Sequence, residues 1–185
     1  TFIHPFDDEA VVAGQGTLGL EMLEQRPDLD VVVIPIGGGG LIAGVATAVK
    51  GLKPEIEVIG AQCDSYDAVK ARREGRNFQG GGATLAEGIA VREPSEKNRK
   101  IIDKLVSRIE SASKYGIEAA IFDLLGDEKV VAEGAAGAGL AVIQKNIEHF
   151  RGKKVGLVLC GGNIDSRLLS TLILRGLVRD GRITR

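Results

Sequence analysis

Three stretches of this 185-residue chain place glycines beside groups able to meet an anion, a ring nitrogen or a proton. The first is Gly37-Gly38-Gly39-Gly40-Leu41, which follows the apolar run Val31-Val32-Val33-Ile34-Pro35-Ile36 and precedes Ile42-Ala43-Gly44-Val45-Ala46. Glycine has no Cβ, so the backbone can turn with positive φ and come close to a ligand. N–H groups opening a helix then converge on an anion at the positive end of the helix dipole. A flexible turn needs one glycine, so four favour an anion pocket. Two ligand classes stay open at this point. Gly38-x-Gly40-x-x-Ala43 fits the dinucleotide pattern loosely, with Asp64 about 20 residues on as a ribose acceptor. A phosphate cup for a mononucleotide-like or pyridoxal phosphate group fits equally. No G-K-[ST] follows, which excludes a P-loop nucleotidase.

The second stretch is Cys160-Gly161-Gly162-Asn163. Cysteine is most often a small buried hydrophobe. Set before two glycines at a strand's carboxyl end, its weakly acidic S–H could instead hydrogen-bond a ring nitrogen. No base stands beside it in sequence, so it does not read as a nucleophile. The third is Glu133, between Val130-Val131-Ala132 and Gly134-Ala135-Ala136-Gly137. Its carboxylate could cap the following helix or face a cofactor, and the two readings balance. Glu87-Gly88 follows Gly80-Gly81-Gly82 in an irregular stretch, 76–92, of a length that is usually functional or mobile. Glu87 alone would be a surface carboxylate. His4 and His149 are too few and too far apart for a metal site, and no metal is expected. Lys97, Arg99, Lys100, Asp103 and Lys104 read as a solvated helix face.

These residues need elements to hold them. Short apolar runs predict strands over 30–36, 57–62, 106–111, 129–133 and 154–160, as parallel strands covered on both faces require. Helical patterns fall near 17–25, 41–50, 66–74, 96–105, 114–125, 137–150 and 166–178. Gly51 with Pro54, Gly75 and Gly126 look like helix ends, while Pro94-Ser95 and Ser113 look like starts. Strand alternating with helix predicts an α/β fold with a doubly wound, mostly parallel sheet. Ligands then bind beyond the carboxyl ends of strands, where three glycine-rich segments are expected: 37–40, 134–139 and 161–162.

Composition narrows the partners. Lys plus Arg number 24 against 25 for Asp plus Glu, a net charge of −1, which argues against nucleic acid or an anionic membrane. No apolar stretch is long enough to span a bilayer and no signal peptide is apparent. Two cysteines, Cys63 and Cys160, make no disulfide framework and suit a reducing cytoplasm. The chain begins Thr1-Phe2-Ile3 and its one methionine is Met22, which suggests a processed product or a piece of a longer protein.

Together the segments resemble the fold type II pyridoxal-phosphate enzymes, specifically the threonine (serine) dehydratases. Phe2-Ile3-His4-Pro5-Phe6-Asp7-Asp8, Gly14-Gln15-Gly16-Thr17, 37–41, Ala86-Glu87-Gly88, Glu133 and 160–163 follow that family's order over the whole chain. The resemblance implies that Gly37, Gly38, Gly39, Gly40 and the N–H of Leu41 hold the phosphate of pyridoxal 5'-phosphate. It also implies that Cys160 faces the pyridine nitrogen and that Gly88 and Glu133 lie near the ring. A neutral thiol does not keep that nitrogen protonated, so the ring is a weaker electron sink than one paired with Asp. That suits elimination of water from L-threonine or L-serine to give 2-oxobutanoate or pyruvate and ammonia. Ala86-Glu87-Gly88 looks more like biosynthetic threonine dehydratases, of the kind that serve isoleucine synthesis, than like serine racemases. Gln62 stands where several relatives place a Glu that helps bind a divalent cation.

The same resemblance implies what lies elsewhere. The family's Schiff-base lysine belongs to a Ser-x-Lys-x-Arg-Gly segment upstream of the Phe2 motif, and no such segment occurs here. No lysine of this chain is assigned a catalytic role. Residues 1–185 are expected to be the C-terminal part of the cofactor-binding catalytic region. The smaller domain and an ACT-type regulatory domain are expected to be absent, and the chain alone inactive. The complete protein is implied to be a homo-oligomer acting on a small amino acid. The alternative from another class is a non-catalytic phosphate- or nucleotide-binding α/β module using the same glycine cup.

Overall fold

The computed structural model of the chain describes residues 3–184. Thr1, Arg185 and Phe2, the first residue of the Phe2-to-Asp8 motif, lie outside the described residues. In chain order the elements are α1 (Glu9–Gln25), β1 (Val31–Pro35), α2 (Gly40–Leu52), β2 (Glu57–Cys63), α3 (Ala68–Arg73) and α4 (Glu96–Leu105). There follow β3 (Arg108–Ala112), α5 (Lys114–Asp127), α6 (Gly134–Lys145), α7 (Ile147–Phe150), β4 (Val155–Leu157) and α8 (Ser166–Arg179). Short 3-10 turns occupy Asp64–Tyr66 and Glu87–Ile89.

The four strands form one parallel sheet in the order β3-β2-β1-β4. Alternation along β1 sends Val31 and Val33 to one face and Val32 and Ile34 to the other, and all four are fully buried. The first pair packs with Ile117 and Ile121 of α5 and Ala138 and Val142 of α6. The second packs with Leu23 of α1, Ile42 and Val45 of α2, and Ile102 of α4. Helices thus cover both faces, the doubly wound arrangement predicted from the sequence.

Local chemistry sets the ends. Ser113 Oγ accepts from Gly116 N at 3.1 Å to start α5, and Asp165 Oδ1 accepts from Arg167 N and Leu168 N to start α8. Helix α1 begins at Glu9, not near 17, because Asp8 caps it through Ala10 N at 2.8 Å. Gly16 and Gly19 lie within that helix, Gly16 just before the predicted start, and let it press onto α2. A Cβ on Gly44 would come within 2.7 Å of Gly16 N, and one on Gly19 within 3.0 Å of Val45 O.

Three expectations need correction. Residues 129–133 form no strand. Lys129 has φ 60°, Val130 N donates back to Leu124 O at the end of α5, and Val130 and Val131 are exposed. Helix α5 runs through Gly126 to Asp127. Finally, β4 is shorter than 154–160. Odd residues of β1 turn their N–H and C=O toward β4: Val31 N donates to Lys154 O and Val33 O accepts from Val158 N. Pro35 is next in that row and has no N–H to give. The ladder stops there, and the chain from Leu159 onward is free to leave the sheet.

Candidate functional site

The glycine loop starts where β1 ends. Ile36 N donates to Ala61 O at 2.8 Å, holding the last extended residue in the sheet. Seven residues later Ala43 N donates to Gly39 O at 3.0 Å, the first bond of α2. Gly39 caps that helix with φ 92°, a conformation open to glycine but costly for other residues. The loop between is packed, not flexible. A Cβ on Gly38 would overlap the Phe6 ring, one on Gly40 would sit 3.0 Å from Phe6 O, and one on Gly37 3.1 Å from Ile89 Cα. Small size at these positions therefore makes room for protein, principally Phe6.

The loop's backbone also has polar partners from α4. Gly38 O accepts from Ser95 N and from Asn98 Nδ2, each at 3.2 Å. Among the described residues no acceptor meets the N–H groups of Gly37, Gly38, Gly39, Gly40 or Leu41. Five donors on consecutive residues stand at the positive end of a 13-residue helix, the setting in which backbone N–H groups can receive an anion.

A second wall comes from three other segments. The 3-10 turn Glu87–Ile89 brings Gly88 to the loop, its carbonyl 3.2 Å from where a Gly37 Cβ would stand. A Cβ on Gly88 would in turn lie 3.0 Å from Glu133 Oε1, and one on Gly161 2.8 Å from the same atom. Glu133 N donates to Gly161 O at 3.1 Å, while Glu133 Oε2 accepts from Asn163 N at 3.2 Å. Glu133 occupies the cap position of α6 but its side chain makes no cap bond there. Of its two sequence roles, side-chain capping falls. The segment 134–139 opens α6 behind this irregular stretch, not behind a strand.

Cys160 stands next to Gly161, three residues past β4. It is solvent-accessible, yet surrounding protein desolvates the thiol and the Glu133 carboxylate adds repulsion, and both push its pKa up. The sulfur is therefore a neutral thiol at neutral pH. Cys160 and Leu41 line one groove of about 360 Å³ with Gln15, Leu18, Met22 and Val158. The close approaches of Gly37 to Gly88, Gly88 to Glu133 and Glu133 to Gly161 link the glycine loop to the residue after Cys160.

The long stretch 76–92 is fastened to the domain. Tyr66 OH donates to Gly82 O at 2.8 Å, and Arg76 pairs with Asp67 and Glu74 at 2.8 and 2.7 Å. Two residues take part here beyond what the sequence pointed to: Asn98, not indicated at all, and Ser95, indicated only as a helix start. Asn98 sits in the run taken for a solvated face but is 2% exposed, and Ser95 beside it is 5% exposed. The available signal was spacing: Ser95 begins α4, Asn98 follows by three and the buried Ile102 by a further four. Gln62 is fully buried, and its amide spans Tyr66 O at 3.1 Å, Ile36 O at 3.5 Å and Lys70 N at 2.9 Å. Among the described residues no three His, Cys, Asp or Glu side chains gather as a cation site. His149 pairs with Glu57 at 2.8 Å at the far, amino end of β2. A larger apolar groove of about 770 Å³ runs along α1, α2 and α4 and contains none of the eight residues. Among the described residues no helix is long and apolar enough to cross a membrane.

Comparison with known proteins matches residues 1–161 to the family model described as pyridoxal-phosphate dependent enzyme. An L-threonine ammonia-lyase of Thermotoga maritima is 45% identical over 183 residues, covering 98% of this chain and 45% of that protein. The processed form of threonine deaminase isoform 2 from Solanum lycopersicum superposes with a TM-score of 0.85 at 31% identity, over 93% of this chain and 48% of that one. Maize serine racemase superposes at 0.82 with 28% identity, over 94% and 55%. The chain spans about half the length of the curated relatives it matches.

Proposed function

The chain belongs to the pyridoxal-phosphate dependent enzymes, fold type II, and from that premise we propose that it is the C-terminal part of the catalytic region of a threonine ammonia-lyase. The complete protein converts L-threonine, or L-serine, to 2-oxobutanoate or pyruvate and ammonia. The lysine that carries the cofactor is supplied by polypeptide outside these 185 residues, and the chain alone turns nothing over. The observation behind this reading is the cradle of five unpaired N–H groups at 37–41, which suits a dianionic phosphate.

Pyridoxal 5'-phosphate, when bound, supplies an electron sink that lets the substrate's α C–H and β C–O bonds break. The chain's residues hold and tune it. Gly37, Gly38, Gly39, Gly40 and Leu41 grip the phosphate through backbone N–H groups. Cys160 presents a neutral S–H to the ring nitrogen, and its raised pKa keeps a thiolate from forming beside Glu133. A carboxylate at that position would hold a proton on the nitrogen, which the thiol does not. Glu133 braces 161–163 through its own N–H and its Oε2, fixing the loop that carries Cys160. Gly88, without a side chain, leaves the space between Glu133 and the glycine loop open.

Two titrations test this. The phosphorus resonance of pyridoxal phosphate should shift on adding the chain and be restored by excess inorganic phosphate. Mixing the chain with the amino-terminal half of the same protein should release ammonia from L-threonine. A silent phosphorus resonance together with binding of a dinucleotide would overturn the reading in favour of a nucleotide module.

A further inference from the structure

Glycines make room but do not choose a peptide orientation. With no Cβ on either side, the Gly38–Gly39 peptide has no strong intrinsic preference between its two orientations. One orientation aims a donor at an incoming anion and the other aims a carbonyl oxygen. We propose that Asn98, acting with the backbone N–H of Ser95, is the positioning residue that decides this, by pinning the Gly38 carbonyl and so turning the Gly39 N–H into the phosphate cradle. The proposal rests on the reading of 37–41 as a phosphate site and adds the residue that orients it.

The geometry is specific. Every described peptide is trans, so the N–H of Gly39 points opposite to the carbonyl of Gly38. That carbonyl is held from the α4 side by Asn98 Nδ2 and Ser95 N, each at 3.2 Å. The N–H therefore emerges on the side away from α4. Asn98 has two amide hydrogens, and the second goes to Phe6 O at 2.6 Å. The same side chain thus ties the Phe6 backbone, whose ring covers Gly38, to the loop beneath it. Asn98 is itself immobilised: it is 2% exposed, its N–H donates to Ser95 Oγ at 3.2 Å, and Ser95 Oγ donates to Asp7 Oδ1 at 2.5 Å. A flipped peptide would strip two donors of their acceptor in a buried setting and turn oxygen toward an anion.

The test compares pyridoxal phosphate with pyridoxal, which lacks only the phosphate, on the chain and on two variants. Asn98→Ala removes both donors, and Asn98→Asp keeps the shape while replacing the amide nitrogen by oxygen. Each variant should bind pyridoxal phosphate about tenfold more weakly, as expected for losing a hydrogen bond to a charged group, while pyridoxal affinity stays the same. Equal losses for both ligands would mean a merely structural role and overturn the proposal. Should the variants not fold, the wild-type chain decides. On titration with inorganic phosphate the amide proton of Gly39 should move downfield along with those of Gly40 and Leu41. Movement of Gly40 and Leu41 without Gly39 would refute the positioning role alone. Silence of all the loop amides would refute both it and the phosphate reading.

Discussion

Replacing Gly38 by alanine tests whether the glycine loop is a packed object. The new methyl would overlap the Phe6 ring. The ring cannot back away with its backbone, because Phe6 O is bound by Asn98 at 2.6 Å and Phe6 N by His4 Nδ1 at 3.4 Å. The loop deforms and the ring is pushed outward. Overpacking of this kind costs about 1–3 kcal/mol. Exposing a half-buried phenyl ring adds about half of the 1.5–3 kcal/mol of a fully buried one. A loss of roughly 2–4 kcal/mol follows, and for a domain of this length it lowers the melting temperature by roughly 5–15 °C. Thermal or urea unfolding followed by circular dichroism reads it directly. A double-mutant cycle sharpens the test. Phe6→Ala should destabilise the wild-type chain by about 1–2 kcal/mol but be neutral or stabilising with alanine at position 38. Simple additivity, or a Gly38→Ala variant within about 0.5 kcal/mol of wild type, would refute the packing described.

Two further outcomes concern charge. Glu133→Gln should lower the Cys160 pKa and speed alkylation by iodoacetamide near neutral pH, with the buried Cys63 as internal control; the shift should be partial, because burial is the larger cause. An unchanged pH profile would detach Glu133 from the thiol. Burial works against ionisation of Glu57, but hydrogen bonds from His149 and Lys153 outweigh it and hold the carboxyl below its ordinary range. A depressed carboxylate contributes stability that is complete above its unfolded pKa and lost as pH falls through its folded one. Glu57→Gln should therefore lower stability at neutral pH and flatten the acid limb of the stability profile, and a parallel displaced curve would count against that.

The sheet was legible where the signal was local. The runs at 30–36 and 57–62 are β-branched, continuous and bounded by turn residues, and both became buried parallel strands. The run at 129–133 carries two valines but has no partner strand: among the described residues its N–H groups donate from Val130 to Leu124 O and from Glu133 to Gly161 O. Periodicity describes a segment and says nothing of its partner. In α1, Gly14 and Gly16 resemble loop residues in sequence, and only the proximity of Gly44 reveals Gly16 as part of a helix crossing. At the site, the order of segments pointed to 37–41, 88, 133 and 160, and the fold draws them together. The supporting residues stayed hidden for a physical reason. Asn98 and Ser95 work through side chains and an amide aimed at Gly38, 60 and 57 positions away along the chain, and no window of sequence contains both ends.

The place of β4 at the sheet margin bears on how the molecule is made. Strands β1, β2 and β3 lie within the first 112 residues and can assemble as the chain emerges. The outer pairing must wait: Asp30 and Lys154, at its foot, are 124 positions apart. Contacts of such long range cost loop-closure entropy before they return anything, and they form late. Cys160, Gly161 and Gly162 hang from that last strand, and Glu133 N donates to Gly161 O there. The residues that frame 37–41 thus lie within the first 112 positions, while the wall facing them depends on the long-range pairing of β4.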